Sequence, residues 1–241
     1  MKISIICPTR KRTSDVTRLL KSLVDTTEEP KEVEILFVID DDDNESSNFV
    51  DRVVDLFDFK IKKVIIERNK YIFSDFPNKA LPYCEGDLLL AIGDDGTFNT
   101  PGWDTKVKNH FAKIPHKISL LHFNDLSPHC RGRAGHLVIH KNWVDVVGYF
   151  SPPYFDGDWG DWWMTWLADG VGVKVYAEDI ILEHLNVWYG KSTPDQTYEE
   201  HKSRREKMPS PDSPSHPKNI NNHVLQKNIK DLLSFIANHK S

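Results

Sequence analysis

Short apolar runs alternate with amphipathic segments through the first 92 residues, and no other feature constrains the fold as strongly. Four continuous apolar runs predict buried strands, at 3–7, 34–39, 63–66 and 87–92. Three intervening segments place apolar side chains at helical spacing, at 15–24, 49–57 and 78–83. Strands that alternate with helices pair in parallel through right-handed crossovers. We therefore predict an α/β fold with a mostly parallel central sheet flanked by helices.

The second half of the chain has a less regular pattern. Its predicted strands are 117–123, 136–140, 171–176 and 180–184, and its predicted helix is 161–169, ended by Gly170. After residue 190 the composition shifts to a Ser/Pro-rich stretch at 210–217, and helical spacing returns at 224–236. We predict a main domain over 1–190 and a C-terminal extension over 191–241, with an irregular loop and a terminal helix that docks on the domain.

Composition excludes several classes of protein. The chain of 241 residues has a net charge of −5, which gives no general electrostatic attraction to nucleic acid. No apolar run approaches the roughly 20 residues that span a bilayer. Three widely separated cysteines without CxxC spacing favour reduced thiols. We expect a cytoplasmic protein without a transmembrane segment.

Carboxylates follow two of the predicted strands. The strand at 34–39 leads into four aspartates at 40–43, and the strand at 87–92 is followed by Gly93, Asp94 and Asp95. A solvated acidic loop and a polar turn would account for these residues separately. Ligands of parallel sheets, however, bind beyond the carboxyl ends of the strands, where both clusters lie. Paired carboxylates there also fit a divalent cation that is shared with a substrate phosphate.

The ordered motifs resemble the family 2-type glycosyltransferases with the GT-A fold. They are ISIICPTRKR, EILFVIDDDD, NKALPYCEG and the DLLLAIGDD strand end, and neither GxGxxG nor a P-loop accompanies them. The resemblance is good over 1–103 and loose over 136–184. It implies that the following residues bind the nucleotide-sugar: Pro8, Thr9, Arg10, Asp40, Asp41, Arg68, Lys79 and Asp94.

The resemblance also implies a site for Mn²⁺ or Mg²⁺. Asp95 matches the metal motif of the family, although Gly93 replaces the first aspartate of a strict DxD. In many GT-A enzymes a histidine late in the domain completes the metal shell, and His184 is the candidate here. The alternative is a structural histidine at the end of a strand. His136 and His140 lack metal-ligand spacing on a predicted strand.

The segment YFDGDWGDWWMTWLADG, at 154–170, lies where the family usually has its catalytic base. We expect Asp158 to be the base, then Asp161, with Asp156 third; helix capping is the alternative role. Helical spacing would place Trp162 with Trp166 on one face, and Trp159 with Trp163 on another. Most of these rings would pack in the core or at its rim, but Trp159 and Trp162 are candidates for stacking on the acceptor.

The sequence thus predicts an inverting, metal-dependent glycosyltransferase that uses a nucleotide-diphosphate sugar. Its acceptor hydroxyl belongs to a glycan, a protein or a modified nucleic-acid base. The basic run at 201–207 either contacts phosphates or is a solvated helix face. The alternatives are a sugar nucleotidyltransferase, which should have a Gly-rich loop after its first strand, and a non-catalytic module that binds carbohydrate or a protein partner.

Overall fold

The elements of the sheet and its helices are known from a computed structural model, which describes residues 1–68, 73–155 and 159–239. The described strands are Ile3–Thr9 (β1), Val33–Asp40 (β2), Lys60–Ile66 (β3), Leu88–Ala91 (β4), Gly96–Phe98 (β5), Leu120–Asn124 (β6), Leu137–His140 (β7) and Lys174–His184 (β8). The described α-helices are Thr13–Thr26 (α1), Asn44–Val53 (α2), Phe76–Ala80 (α3), Trp103–Ala112 (α4), Lys141–Val147 (α5), Gly160–Val171 (α6), Gln196–Glu206 (α7), Pro217–Ile220 (α8) and Asn222–Asn238 (α9).

The described strands form one sheet in the order β3-β2-β1-β4-β7-β6-β8-β5. The pairings β3–β2, β2–β1, β1–β4 and β6–β8 are parallel, whereas β4–β7, β7–β6 and β8–β5 are antiparallel. The predicted α/β fold with a mostly parallel central sheet is confirmed. The carboxyl ends of β1, β2 and β4 lie at one edge, because these neighbouring strands run in the same direction.

Apolar side chains cover both faces of the sheet. On one face, Ile3 and Ile5 of β1 belong to a buried cluster with Leu19 of α1 and Phe111 of α4. On the other face, a second cluster joins β4 and β7 to helices α5, α6 and α9. This two-sided burial explains why β1, β2 and β4 are nearly continuous apolar runs instead of alternating ones.

The N-cap residue of α1 is Arg12, and no side chain accepts a hydrogen bond there. The predicted end of the helix at 161–169 was wrong. Helix α6 continues past Gly170 to Val171, and Gly172, with φ of 77°, terminates it. Gly170 serves packing instead, since a Cβ atom at this position would lie 2.4 Å from Cδ1 of Ile229.

The two strands predicted at 171–176 and 180–184 are one strand, β8. Its pairing with β6 shifts register between Phe123 and Asn124, which interrupts the apolar pattern without ending the strand. The last residues of β8 pair with the short strand β5, Gly96 opposite His184. This pairing brings the end of β8 to the loop that follows β4.

The terminal helix α9 packs against α5 and α6, as its helical spacing predicted. Leu225 and Leu232 are buried in the second cluster. The predicted boundary between residues 190 and 191 stays a prediction. Within the ranges 1–68, 73–155 and 159–239, no helix combines the length and the apolar character that crossing a membrane requires.

Candidate functional site

A crevice of about 580 Å³ opens at the carboxyl ends of β1, β2 and β4. The described residues that line it include three strand-end aspartates, the start of α6, and the chain from Asn186 to Arg205. The sequence predicted the first two of these walls. The third comes mostly from the predicted C-terminal extension, with residues 186–189 from the end of the predicted main domain.

Asp40, the last residue of β2, lies at one end of the crevice between two arginines. Its Oδ2 accepts hydrogen bonds from Arg68 NH1 at 2.7 Å and from Arg10 NH1 at 3.2 Å. Arg10, in the β1–α1 loop, also pairs with Asp42, whose Oδ1 lies 2.5 Å from Arg10 NH1. These contacts assemble an alternating set of acidic and basic groups that can read polar edges of a base or sugar.

Asp94 is buried just beyond β4. Thr9 Oγ1 donates to its Oδ2 at 2.8 Å, and Arg12 NH1 lies 3.1 Å from its Oδ1. Burial raises the pKa of Asp94 to about 7, helped by the charge of Asp95 and opposed by Arg12 and the Thr9 hydrogen bond. The side chain therefore has partners on both oxygens before any ligand arrives.

Asp95 contacts His184, because the pairing of β5 with β8 places the residue before β5 beside the end of β8. Its Oδ2 lies 3.1 Å from His184 Nε2, and its carbonyl accepts from Leu185 N at 2.9 Å. Burial alone would raise the pKa of Asp95, but the hydrogen bond and charge of His184 lower it to about 2. For His184 the directions are reversed: burial alone would lower its pKa, but the hydrogen bond and charge of Asp95 raise the pKa above its ordinary value.

His136 lies beside this pair, with its ring centroid 4.8 Å from that of His184. Burial lowers the pKa of His136. Both ring nitrogens of His136, and Nδ1 of His184, are shielded from solvent and have no hydrogen-bond partner within the described residues. Sequence spacing gave no reason to place His136 here. Its proximity follows from β7, which lies next to β4 in the sheet.

Asp95 and His184 fit a divalent cation by their chemistry. A carboxylate oxygen of Asp95 and an imidazole nitrogen of His184 lie 3.1 Å apart in the crevice, and the second nitrogen of His184 is shielded from solvent. In the part of the chain that the structure describes, no group of three or more His, Cys, Asp or Glu side chains is arranged to hold a metal ion. The remaining ligands would have to come from a substrate or from water.

Asp161 lies in the first turn of α6 and lines the crevice. Its Oδ1 accepts from Trp162 N at 2.7 Å, and its Oδ2 lies 3.5 Å from Nε of Arg133. Arg133 also reaches Asp125 Oδ2, at 4.0 Å. Asp161 thus accepts a hydrogen bond from an amide of the first turn and forms an ion pair at the same time, although it is not the N-cap residue of α6. The other two candidate bases, Asp158 and Asp156, lie outside the described residues.

Trp159 and Trp162 line the crevice and contact Trp166. The predicted pairing of Trp159 with Trp163 was wrong. Trp159 stands at the N-cap of α6 with φ of 86°, so its side chain leaves the helical repeat and lies 6.4 Å from Trp162, centroid to centroid. Trp163 is instead fully buried in the core.

The structure brings together most of the predicted nucleotide-sugar and metal residues. Pro8, Thr9, Arg10, Asp40, Arg68, Asp94, Asp95 and His184 all line the crevice. Two predicted residues lie elsewhere. Asp41 is exposed and accepts from Arg68 N at 3.0 Å, and Lys79 pairs with Asp75 at 2.7 Å, one helical turn away.

Sequence reasoning missed several residues of the crevice. Arg12 follows a predicted strand within a basic run, which is a local signal. Arg133, His136 and the residues of the C-terminal wall carry no comparable signal, since only long-range contacts place them in the crevice.

Comparisons with known proteins fit this geometry. The family model described as "Glycosyl transferase family 2" matches residues 4–134. Comparison with curated proteins finds no significant match. Among solved structures, S. aureus TarS 1-349 in complex with UDP superposes with a TM-score of 0.60 at 18% identity, covering 76% of this chain and 59% of that one. The chain therefore spans about three fifths of that structure.

Two further structures cover nearly the whole chain. The mannosyltransferase PcManGT from Pyrobaculum calidifontis, in complex with GDP-Man and Mn²⁺, has a TM-score of 0.65 at 13% identity, covering 99% of this chain and 73% of that one. S. aureus TarS 1-349 in complex with UDP-GlcNAc has a TM-score of 0.60 at 16% identity, with coverages of 98% and 73%. At these identities the likeness is one of fold.

Proposed function

The chain belongs to glycosyl transferase family 2, and we propose that it transfers a sugar from a nucleotide-diphosphate sugar to an acceptor hydroxyl with inversion of configuration. The predicted family and the GT-A fold are confirmed. One observation supports the activity above all others. Asp40, Asp94 and Asp95, from the ends of two parallel strands, line one crevice together with Arg10, Arg12 and Arg68.

The donor would occupy the half of the crevice formed by β1, β2 and β4. Asp40 would accept from the base or the ribose, between Arg10 and Arg68. Thr9 and Asp94, which are hydrogen-bonded to each other and line the crevice, would contact the ribose or the diphosphate. Solved relatives of the fold hold UDP, UDP-GlcNAc and GDP-Man, so the test must include both uridine and guanosine donors.

Asp95 and His184 would hold Mn²⁺ or Mg²⁺. When bound, the cation would neutralise the charge that develops on the leaving diphosphate. The support in this chain is the convergence of the two side chains, and the similar fold of a mannosyltransferase that was solved with Mn²⁺.

The acceptor would enter on the side of α6. Trp159 and Trp162 offer aromatic faces to a sugar or base, and a carboxylate at the start of α6 takes the proton from the acceptor hydroxyl. Asp158 and Asp161 are the two candidates for that carboxylate. A single in-line displacement at the anomeric carbon then inverts its configuration. The class of acceptor, a glycan, a protein or a modified base, stays open, and so does the predicted cytoplasmic location.

Two other functions compete with this proposal. A sugar nucleotidyltransferase needs a phosphate-binding loop after its first strand, but the β1–α1 loop contains Arg10, Lys11 and Arg12 and no glycine. A non-catalytic binding module would use the tryptophans equally well. The products formed from sugar nucleotides separate the three functions.

The test is an assay of UDP- and GDP-sugars with the full chain, with and without Mn²⁺. We expect nucleoside diphosphate release that falls at least about 10-fold without the metal and in Asp95→Asn. The matched control is Asp179→Asn, an exposed carboxylate paired with Lys106, which should keep the wild-type rate. A folded protein that releases no nucleoside diphosphate from any donor would be a binding module. Formation of nucleoside triphosphate from a sugar nucleotide and pyrophosphate would identify a nucleotidyltransferase.

A further inference from the structure

Helix α7 covers the donor half of the crevice without contributing to any apolar core. None of its residues is buried. It is attached mainly through polar contacts, together with a ring contact between Tyr198 and Trp188. Asp195, its N-cap, forms two hydrogen bonds with the side chain of Arg12, at 2.6 Å from Nε and 2.8 Å from NH2. Glu200 pairs with Arg68 NH2, and Thr197 Oγ1 donates to the carbonyl of Arg10 at 3.1 Å.

The two arginines each connect a carboxylate of the sheet to a carboxylate of α7. Arg12 joins Asp94 to Asp195, and Arg68 joins Asp40 to Glu200. A guanidinium binds carboxylate and phosphate oxygens with the same planar, two-pronged geometry. The carboxylates of α7 therefore occupy the positions at which these arginines would otherwise bind the phosphates of a donor.

We propose that α7 is a self-inhibitory cover whose carboxylates, Asp195 and Glu200, stand in for the donor's diphosphate and must be displaced before the donor binds. This inference rests on the proposed function of the crevice as a nucleotide-sugar site. It adds that the residues of the C-terminal wall compete with the donor for Arg12 and Arg68.

The attachment of α7 is suited to displacement. Partly exposed ion pairs are weakened by solvent and salt. No residue of α7 is fully buried, and among the described residues its aromatic contacts are those of Tyr198 and Arg205 with the exposed ring of Trp188. The Asp195 side chain is 42% exposed and that of Glu200 is 36% exposed. The diphosphate of a nucleotide sugar carries two negative charges, the same number as these two carboxylates. Donor binding can therefore exchange one set of charge pairs for another at small net cost.

The test compares two double variants that remove the same charge from α7. Asp195→Asn/Glu200→Gln removes the competing carboxylates, and asparagine keeps an N-cap for the amide of Tyr198. The control, Glu199→Gln/Glu206→Gln, neutralises two exposed carboxylates of the same helix. The affinity of the full chain for inorganic pyrophosphate is measured by calorimetry. We expect the first variant to bind about 10-fold more tightly than wild type, and the control to change less than 2-fold.

Hydrogen exchange of the α7 amides supplies a second measurement, which reports displacement of the helix and not only a change of charge. Amides of 196–206 should exchange faster in wild type when pyrophosphate is added, and should exchange fast in Asp195→Asn/Glu200→Gln without it. Equal affinities of the two double variants, or exchange that pyrophosphate leaves unchanged or slows, would overturn the cover. Neither readout needs turnover. If the chain transfers sugar but shows neither effect, only the proposal that α7 is a cover is rejected. If it shows both effects but transfers no sugar, only the proposed transferase activity is rejected.

Discussion

Tyr149 connects the terminal helix to the core, and its hydroxyl is the most informative group to remove for the stability of the fold. Trp163 Nε1 of α6 donates to it at 2.9 Å, and Asn228 Nδ2 of α9 donates at 2.6 Å. All three residues are buried, with exposures of 6%, 0% and 4%. Tyr149→Phe keeps the ring and leaves two buried donors without an acceptor.

The expected loss follows from these two donors. A buried donor left without a partner costs about 1–3 kcal/mol, so Tyr149→Phe should lower the free energy of unfolding by roughly 2–4 kcal/mol. For a chain of this length, a loss of about 3 kcal/mol lowers Tm by roughly 6–12 °C. Equilibrium unfolding in urea, followed by tryptophan fluorescence and circular dichroism, measures the change.

Tyr154 provides the matched control. Its ring packs against Trp163 with a centroid distance of 5.4 Å, and its hydroxyl makes no hydrogen bond within the described residues. Tyr154→Phe should therefore change stability by less than about 0.5 kcal/mol. Asn228→Ala should lower the free energy of unfolding less in the Tyr149→Phe background than in wild type, because the two variants break the same hydrogen bond. Equal effects of Tyr149→Phe and Tyr154→Phe, or full additivity with Asn228→Ala, would refute the role of this network.

Two further predictions concern the catalytic base and pH. Of the variants Asp158→Asn and Asp161→Asn, the one that removes the base should lower the rate of sugar transfer about 10²–10⁴-fold at unchanged donor affinity, and the other should lower it far less. If neither variant lowers the rate, the base is a different residue. Burial lowers the pKa of His122 to about 4. Below pH 6.5, therefore, His122 binds a proton in the unfolded chain but not in the folded chain, and the free energy of unfolding decreases as the pH falls. Urea unfolding should show wild type losing about 2 kcal/mol relative to His122→Phe between pH 7 and pH 5, and a pH-independent difference would contradict this.

The predictable part of the site is the part that the chain encodes locally. β1, β2 and β4 are nearly continuous apolar runs, Asp40 ends β2, and Asp94 and Asp95 follow β4 closely in the chain. Asp40, Asp94 and Asp95 could therefore be placed at one edge from the chain order alone. His184 was predicted from the resemblance, and the pairing of Gly96 with His184 provides the physical reason for its position.

The rest of the site depends on contacts between distant parts of the chain. Arg12 and Asp195 are separated by 183 positions, and an ion pair leaves no periodic pattern in a sequence. His136 enters the site because β7 inserts antiparallel beside β4, an order that strand propensity does not specify. The basic run at 201–207 was ambiguous for the same reason, since only the placement of α7 shows that His201, Arg204 and Arg205 line the crevice.

The order of these elements along the chain separates the two substrates. The family match ends at residue 134, and the carboxylates and arginines that we assign to the donor all precede that point. The start of α6, the tryptophans and α7 follow it. Substitutions before residue 134 should therefore act first on donor binding, and those at the start of α6 on transfer to the acceptor. Helix α7 belongs to the second group by position, yet it contacts Arg12 and Arg68 of the first. A cover at this place would link arrival of the donor to access for the acceptor, because displacing α7 frees both arginines and opens the crevice that the start of α6 also lines.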